Sequence, residues 1–397
     1  MRYFATAVPG LHPVLVREIG ELQGARAAAP HREFDGRNDV VPFVAPGHDD
    51  LLVLRTSEDV FAEVASVQGH ERLGPVVRGL WDQRGLEQAL SVYGATVHPL
   101  RTRMTFRVVS RIRSERRFLR TELRDELGRR VLQSRPRWRI ADPADLELWA
   151  LETIPGRFRL GIRLSSATMR HRNGRPTERP GSLRPTVAAA MARLAGPRST
   201  ARVPNRDSTR AWVPEGRSTA GWILLDPCCG SGTILREAAT LGWEPVGGDL
   251  DPTAVEVARD NLGRARLFSA DVRRLPLTDA SVAAVASNLP FGKQYELQGR
   301  PERWFAVALD ELARVIQPGG PIVLLVPGSR HLKGHWGGSR WFKRPNGWSS
   351  GCWERGLLSG RSIAGEPPVA RPGSVRCGRS WPRCRARPTR SWHRRGR

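Results

Sequence analysis

Cysteine is scarce in this chain of 397 residues, which holds only five. Two of them, Cys228 and Cys229, are adjacent in a glycine-rich stretch, and the other three are scattered after residue 350 without a Cys-x-x-Cys spacing. The sequence therefore supports neither a disulfide framework nor a zinc site. Long apolar runs are also missing, since no stretch reaches the roughly 18 apolar residues of a membrane-spanning helix.

The N-terminus lacks the charged-then-apolar pattern of a secretion signal, because Pro9 and Pro13 interrupt it and acidic residues follow. We therefore expect a soluble, cytoplasmic protein that has no membrane partner. The chain is longer than the size at which one hydrophobic core usually stops growing, so two or three domains are expected.

Acidic residues are few relative to basic ones: 39 Asp and Glu stand against 64 Lys and Arg, a formal net charge of +25. This charge favours a polyanionic partner such as nucleic acid. More than half of it comes from residues 331–397, which contain six of the 13 Trp and show no apolar periodicity. This tail is interpreted either as a basic, disordered nucleic-acid arm or as a shifted reading frame in a GC-rich gene. Its Trp and Cys content favours the second interpretation.

Hydrophobic periodicity divides the rest of the chain into four parts. Residues 1–65 are predicted as an α+β unit with strands RYFATAV and DDLLVLRT and helices LHPVLVREIGEL and SEDVFAEVASV. Residues 66–170 are predicted as a second unit, with strands MTFRVVSRI and RFRLGIRLSS around the helix RTELRDELGRRVLQ. Residues 171–220 form a linker with one helix, SLRPTVAAAMARLA. Residues 221–330 alternate strands and helices, which indicates a parallel sheet covered on both faces.

A glycine-rich turn follows the first strand of this alternation, in LLDPCCGSGTILREAA. Glycines at positions 230 and 232 let the backbone approach a ligand, and the helix that follows supplies free N–H groups. The turn is not a P-loop, because no Gly-Lys-Ser/Thr follows, and it fits G-x-G-x-x-G poorly because Leu235 stands at the third glycine. Taken alone, the turn is a weak signal for a ligand site, and a tight structural turn is the alternative.

Acidic residues at the following strand ends make a nucleotide pocket the better interpretation. Asp249 ends the second strand, at the distance from Asp226 where an acid accepts hydrogen bonds from ribose hydroxyls. Asp271 ends the third strand and is placed to accept from an adenine amine, or to cap the strand end. Asp251 precedes a proline and is predicted as the N-cap of the next helix. Together these residues predict a site for an adenosine-bearing cofactor.

The stretch SNLPFGKQY follows a short apolar strand and delivers Asn288 to the strand end. The Asn288 side-chain oxygen and the Leu289 carbonyl are predicted to accept the two hydrogens of an exocyclic nucleobase amine. Pro290 stiffens the turn, and Phe291 offers a face on which the base stacks. The amine nitrogen would then face an electrophilic methyl group, a positioning effect that requires no covalent intermediate.

With DPCCGSGT and NLPFG, residues 221–328 resemble a Class I S-adenosylmethionine-dependent methyltransferase. NLPFG is similar to the Asn/Asp-x-Pro-Phe/Tyr motif of enzymes that methylate exocyclic or amide nitrogens. Leu289 and the following PFGK resemble the tRNA guanine-N2 methyltransferases that carry a THUMP domain. The order of units agrees, with a ferredoxin-like start and a THUMP-like unit that ends LSSATMRHR.

The resemblance implies a Rossmann-like α/β sheet in residues 221–330 after ferredoxin-like (1–65) and THUMP-like (66–170) units, with S-adenosyl-L-methionine as cofactor and tRNA as partner. The implied reaction is methylation of the exocyclic N2 amine of a guanosine. The catalytic loop falls on Asn288, Leu289, Pro290 and Phe291, and the cofactor positions fall on Asp226, Gly230, Gly232, Thr233, Asp249 and Asp271.

The chain departs from this family after the strand predicted over residues 321–326. Class I sheets close with two further strands, the last one inserted antiparallel, and here the unusual tail takes their place. We therefore expect an exposed apolar sheet edge at this strand, which would make the chain fold poorly or leave it inactive.

Eleven arginines lie between residues 101 and 130. A helix starting near Glu115 would place Arg113, Arg117, Arg120 and Arg124 near one face, as a surface that tracks RNA phosphates. The alternative is an ordinary solvated helix whose arginines pair with neighbouring acids. By its resemblance to THUMP domains, this unit is expected to bind the acceptor end of tRNA.

Other functions stay open. The same loop can methylate a guanine or adenine amine in ribosomal RNA, and a protein glutamine amide is disfavoured by the basic N-terminal units. The chain can also be a non-catalytic RNA-binding protein with a degraded C-terminus. A nucleotide-dependent oxidoreductase is disfavoured, because its reaction does not require the NLPFG motif.

Overall fold

The computed structural model describes residues 1–28, 33–48, 50–69, 71–165, 177–196, 222–263, 265–290, 300–326, 340–342 and 356–361. The strands of these residues form two sheets, one of nine strands and one of seven. In the described ranges, no helix is both long and apolar enough to cross a membrane.

The first sheet is built from residues 2–163. Its strands are β1 (Arg2–Ala7), β2 (Arg26–Ala27), β3 (Glu33–Phe34), β4 (Asp39–Val44), β5 (Asp59–Gln68), β6 (Thr105–Arg111), β7 (Arg139–Ile140), β8 (Leu146–Ile154) and β9 (Arg157–Arg163). The main path runs β2-β4-β1-β5-β9-β8-β6-β7, and β3 pairs with β4. The predicted boundary near residue 65 therefore falls within β5, a strand in the middle of this sheet.

Four helices accompany this sheet: α1 (His12–Glu21), α2 (Leu73–Leu80), α3 (Gln83–Thr96) and α4 (Arg120–Ser134). Leu15, Val76, Leu90 and Leu127 contribute to one hydrophobic core with the sheet. The predictions for β1, β6, β9, α1 and α4 are confirmed. Sequence reasoning did not identify β8, α2 or α3.

Two predictions in the first unit are wrong. The segment predicted as the helix SEDVFAEVASV is mostly strand β5. The prediction failed because Val60, Phe61 and Val64 fall at helical spacing, while both faces of this central strand are buried. Burial on both faces removes the polar and apolar alternation that would have marked a strand. The segment predicted as the strand DDLLVLRT instead contains a short 3₁₀ helix over Leu51–Val53.

The second sheet confirms the α/β prediction for the C-terminal side. Its strands are β10 (Ile223–Asp226), β11 (Glu244–Asp249), β12 (Arg266–Ser269), β13 (Ala284–Asn288), β14 (Pro321–Val326), β15 (Arg340–Phe342) and β16 (Gly356–Arg361). They lie in the order β12-β11-β10-β13-β14-β16-β15, and β10 to β14 are parallel. Its helices are α5 (Pro185–Ala195), α6 (Thr233–Thr240), α7 (Pro252–Leu262) and α8 (Pro301–Val315).

Adjacent residues of β10 show that helices cover both faces of this sheet. Leu224 packs in one core with residues of α5 and α6, and Leu225 packs in another with residues of α8. Both leucines are fully buried, which explains the continuous apolar run that the sequence shows there.

The predicted exposed edge at β14 is wrong. Strand β16 pairs antiparallel with all six residues of β14, and β15 pairs antiparallel with β16. An antiparallel strand thus stands between β14 and β15, which is the closure expected of a Class I sheet. Residues 331–339, 343–355 and 362–397 of the tail lie outside the described residues, so the reading-frame hypothesis stays a prediction.

Candidate active site

The predicted cofactor and catalytic residues meet at the carboxyl end of the second sheet. Asp226, Asp249 and Asn288 are the last residues of the neighbouring strands β10, β11 and β13. Asp271 follows the end of β12 by two residues. Parallel strands end at the same side of a sheet, where open α/β sheets bind their ligands.

The glycine-rich turn after β10 has a backbone that requires glycine. Gly230 and Gly232 have φ angles of +53° and +79°, in the left-handed region, and helix α6 begins at Thr233 with no side-chain cap. A Cβ atom at Gly232 would approach Leu262 Cδ1 to 2.7 Å, whereas a Cβ at Gly230 would meet no described atom within 4 Å. Gly232 is therefore favoured by its positive φ angle and by its close approach to Leu262, and Gly230 leaves an open approach to the backbone.

Asp226 lies buried at the base of this turn, with 1% of its surface exposed. Its Oδ1 accepts hydrogen bonds from the Cys228 amide (3.2 Å) and the Ser287 hydroxyl (2.7 Å), while Oδ2 is buried without a partner among the described residues. Burial, with a smaller contribution from the nearby Asp249 carboxylate, raises the pKa of Asp226 to about 7, although its hydrogen bonds from Ser287 and Cys228 act to lower it.

Asp249 holds the turn in its conformation. Its Oδ2 accepts from the Gly230 amide at 2.8 Å, and its Oδ1 accepts from the Asp251 amide at 3.0 Å. The Asp251 side chain accepts from the Thr253 amide and caps helix α7, which confirms that prediction. Because a carboxylate oxygen can accept more than one hydrogen bond, Asp249 keeps capacity for a ligand hydroxyl.

Asp271 has a partner of its own. Arg273 donates to both carboxylate oxygens, with Nη2 to Oδ2 at 2.6 Å, and its backbone amide also donates to Oδ1. The Arg273 side chain lowers the pKa of Asp271, so this group is ionised at neutral pH. An adenine amine that donates to Asp271 would do so beside the hydrogen bonds that Arg273 already donates to this carboxylate.

Asn288 presents the clearest unsatisfied group of the site. Its Oδ1 is buried and has no hydrogen-bond partner within the described ranges. The next residue, Leu289, is fully buried and packs in the core that contains α8. Pro290 is half-buried and is the last residue described before a gap, so Phe291 lies outside the described residues.

Sequence reasoning missed the segment that packs beside the turn, residues 177–184 of the predicted linker. Ser182 Oγ lies 3.0 Å from Ser231 Oγ, and Asn261 Nδ2 donates to the carbonyls of Ser231 and Thr177. Arg179 pairs with Asp251. No motif marks these contacts, because they join segments about 50 to 80 residues apart in the chain.

The four candidate RNA-binding arginines do not share one helix face, so that prediction is wrong. Helix α4 begins at Arg120, which leaves Arg113 and Arg117 in the preceding loop. The buried Glu152 carboxylate fixes this loop, since it accepts from the amides of Arg113 (2.6 Å) and Ser114 (3.0 Å). Burial opposes ionisation of Glu152, but its hydrogen bonds prevail and lower its pKa to about 2.

The four arginines also differ in their partners. Arg124 lies 2.8 Å from Asp125, and Arg117 Nε lies 3.8 Å from Glu71. Arg113 donates to the Thr153 carbonyl. Arg120 has no carboxylate partner among the residues that the structure describes.

In the same residues, no group of three or more His, Cys, Asp or Glu side chains is arranged to hold a metal ion.

Residues 210–351 match a family of methyltransferase domains, UPF0020, described as RMKL-like. The C-terminal part of the chain is a methyltransferase domain of this family. As predicted from the sequence, the cofactor of such a domain is S-adenosylmethionine. The Asp226 Oδ2, which has no partner among the described residues, and the open approach at Gly230 fit a bound molecule of this kind.

Curated relatives of this methyltransferase domain carry guanine-N2 names. The chain is 40% identical over 140 residues to the bovine "U6 snRNA (guanine-N(2))-methyltransferase THUMPD2", covering 32% of this chain and 27% of that protein. It is 29% identical to the "tRNA (guanine(10)-N2)-dimethyltransferase" of Methanothermobacter thermautotrophicus, covering 52% and 55%. It is 34% identical to the "tRNA (guanine(6)-N2)-methyltransferase" of Thermus thermophilus, covering 42% and 45%. The chain thus spans from about a quarter to about half of these relatives.

A solved structure, that of TrmN from Thermus thermophilus, is similar over most of both chains. The TM-score is 0.66 at 23% identity, and the alignment covers 91% of this chain and 99% of the other. At this identity the likeness establishes the fold.

Proposed function

We propose that this protein transfers a methyl group from S-adenosylmethionine to the exocyclic N2 amine of a guanosine in tRNA. The observation that carries the proposal is the buried Oδ1 of Asn288, which has no partner among the described residues and lies at the end of β13, next to the strand that leads into the glycine-rich turn. A buried acceptor without a partner is unfavourable in the free protein, and an incoming amine hydrogen would satisfy it.

The proposed chemistry is one of positioning. The lone pair of an exocyclic amine is delocalised into the base, so this nitrogen is a weak nucleophile. Asn288 Oδ1 and the Leu289 carbonyl would each accept one amine hydrogen and orient the nitrogen. Pro290 lacks an amide hydrogen and restricts the turn, and Phe291 would stack on the base. A well-oriented pair of reactants needs no covalent intermediate.

The cofactor would lie along the turn and the strand ends. The bound cofactor supplies the electrophilic methyl group. The backbone at Gly230, Gly232 and Thr233 would line its binding site, Asp249 would accept from its ribose hydroxyls, and Asp271 would accept from its adenine amine. Asp226 supports the turn from below through its bond to the Cys228 amide.

The relatives support RNA guanine as the substrate class, since their names specify guanine N2 in tRNA or in U6 snRNA. We place the RNA-binding surface in residues 66–170, a THUMP-like part that shares the first sheet with the ferredoxin-like part in residues 1–65. Arg113, Arg117, Arg120 and Arg124 are its candidate phosphate contacts. Action on tRNA would place the protein in the cytoplasm.

The test is to incubate the protein with S-adenosylmethionine and unmodified tRNA, digest the RNA and identify methylated nucleosides by mass spectrometry. Parallel reactions contain ribosomal RNA or U6 snRNA, and the Asn288→Ala variant serves as the catalytic control. N2-methylguanosine from tRNA supports the proposal, and its appearance only in another RNA assigns that substrate instead. A protein that binds tRNA tightly but binds no cofactor would support the non-catalytic alternative.

A further inference from the structure

We infer that Arg55, in the N-terminal part of the chain, is a positioning residue for the cofactor turn. The inference rests on the proposed cofactor site but concerns residues that the reaction itself does not use. It makes residues 1–65 a structural part of that site, in addition to any role in RNA binding.

Arg55 is joined to the helix that begins at the turn. Its Nε donates to Oε2 of Glu237 at 2.6 Å and its Nη2 donates to Oε1 at 2.9 Å, a bidentate pair. Glu237 is 1% exposed and lies four residues after Thr233, where helix α6 begins. Removal of the arginine would take two charge-assisted hydrogen bonds from this buried carboxylate, which is costly.

The backbone of Arg55 is itself anchored. The buried carboxylate of Glu18, on α1, accepts from the Arg55 amide at 2.7 Å and from the Thr56 amide at 2.9 Å. Arg193, on helix α5, lies 2.9 Å from the same carboxylate. Arg55 therefore cannot easily follow a shift of α6, because its main chain is bound to a second fixed group.

Apolar packing joins the same elements. Leu11 and Val14, next to and within α1, belong to one hydrophobic core with Cys229 of the turn and with Ile234 and Ala238 of α6. The N-terminal part and the methyltransferase sheet thus share a core in addition to the ion pair. Motion of one relative to the other would disturb the turn directly.

The turn is sensitive to such motion because helix α6 starts without a side-chain cap. Glycine conformations and hydrogen bonds such as that from the Gly230 amide to Asp249 help to fix the N–H groups at this end. A shift or fraying of α6 would therefore move the groups predicted to meet the cofactor.

The experiment compares Arg55→Met and Arg55→Lys with a matched control, Arg107→Met. Arg107 has nearly the same side-chain exposure as Arg55 (31% against 28%) and also makes two bonds to one glutamate, but it lies on β6 away from the turn. Calorimetry without RNA gives the dissociation constant for S-adenosylmethionine. Hydrogen exchange on the cofactor-free protein follows amides 228–237.

We expect Arg55→Met to raise the dissociation constant roughly three- to tenfold and to speed exchange in amides 228–237. Arg55→Lys should restore part of the affinity, and Arg107→Met should change neither quantity. Equal affinity of Arg55→Met and the wild type would overturn the inference, as would an equal loss in Arg107→Met. If Arg55→Met does not fold, Glu237→Gln replaces it with the same expected results. A wild type that binds no cofactor refutes the proposed function instead.

Discussion

The hydroxyl of Ser287 donates to Oδ1 of Asp226 at 2.7 Å and so joins the ends of β13 and β10, the two strands at the centre of the methyltransferase sheet. One residue later, β13 ends with Asn288, whose Oδ1 has no partner in the part of the chain that the structure describes. Two residues after Asp226, the Cys228 amide donates to the same Asp226 oxygen. A single buried carboxyl group thus connects the cofactor turn with the loop proposed to hold the substrate.

Burial gives Asp226 a pH dependence that an amide would lack. The pKa of Asp226 is about 7 in the folded protein, against an ordinary value of 3.8. The protonated carboxyl therefore contributes its full share to the free energy of unfolding below about pH 4, and this contribution is lost as the pH rises through 7. Asp226→Asn should therefore gain stability relative to the wild type across this window, by a few kcal/mol at most, since one pKa unit is worth about 1.4 kcal/mol. Urea unfolding of both proteins between about pH 5 and pH 8 measures the difference, and a difference that does not change with pH would contradict the prediction.

Asn288→Ala should lower the methylation rate about 100-fold or more, because the amine loses an acceptor that holds it in the transition state. The affinity for S-adenosylmethionine should change little, since the proposed contact is with the substrate. Single-turnover rates and calorimetry provide the two values. A rate within about threefold of the wild type would remove Asn288 from the mechanism.

Two nearby aspartates should behave differently when replaced. Asp249→Ala should weaken S-adenosylmethionine binding about tenfold or more, since it removes a ribose acceptor together with the acceptor of the Gly230 amide. Asp251→Ala removes a helix cap, so its main effect should be a loss of about 1 kcal/mol of stability. Calorimetric titration and thermal unfolding separate the effects. If Asp249→Ala and Asp251→Ala lose the same affinity for S-adenosylmethionine, Asp249 does not bind the ribose specifically.

Replacement of Arg117 and Arg120 by Ala should weaken tRNA binding and lower the slope of log affinity against log salt by about one to two. The double replacement of Arg129 and Arg130 by Ala is the matched control, because both arginines pair with Glu126 on α4 and neither is a candidate phosphate contact. Filter binding at several salt concentrations measures both. Unchanged binding in the double variant would support the solvated-surface interpretation of these arginines.

Local signals were sufficient for much of the methyltransferase part. The glycines of the turn, the cap at Asp251 and the strand that ends at Asn288 are each determined within a few residues, and the structure confirms these local features. In the first unit the same reasoning failed for residues 57–67, because a strand buried on both faces has no alternation and its valines imitate helical spacing. It also failed to place Arg113 and Arg117, which lie in the loop before α4, because Glu152, a residue far along the chain, holds that loop.

The sequence by itself determined the parallel α/β sheet, the kind of cofactor and the residues at the strand ends, because backbone conformation and strand termini depend on local residue types. Only the tertiary structure decided that β16 covers the edge of β14, that Arg273 pairs with Asp271 and that Arg55 binds Glu237. The sheet edge depends on strands that pair across intervening chain, and the Arg55 pair joins residues 182 positions apart. Even the ion pair between Arg273 and Asp271, which are two residues apart, depends on how the chain turns after β12. Folding alone brings such groups together, since no local pattern records which distant surfaces will meet.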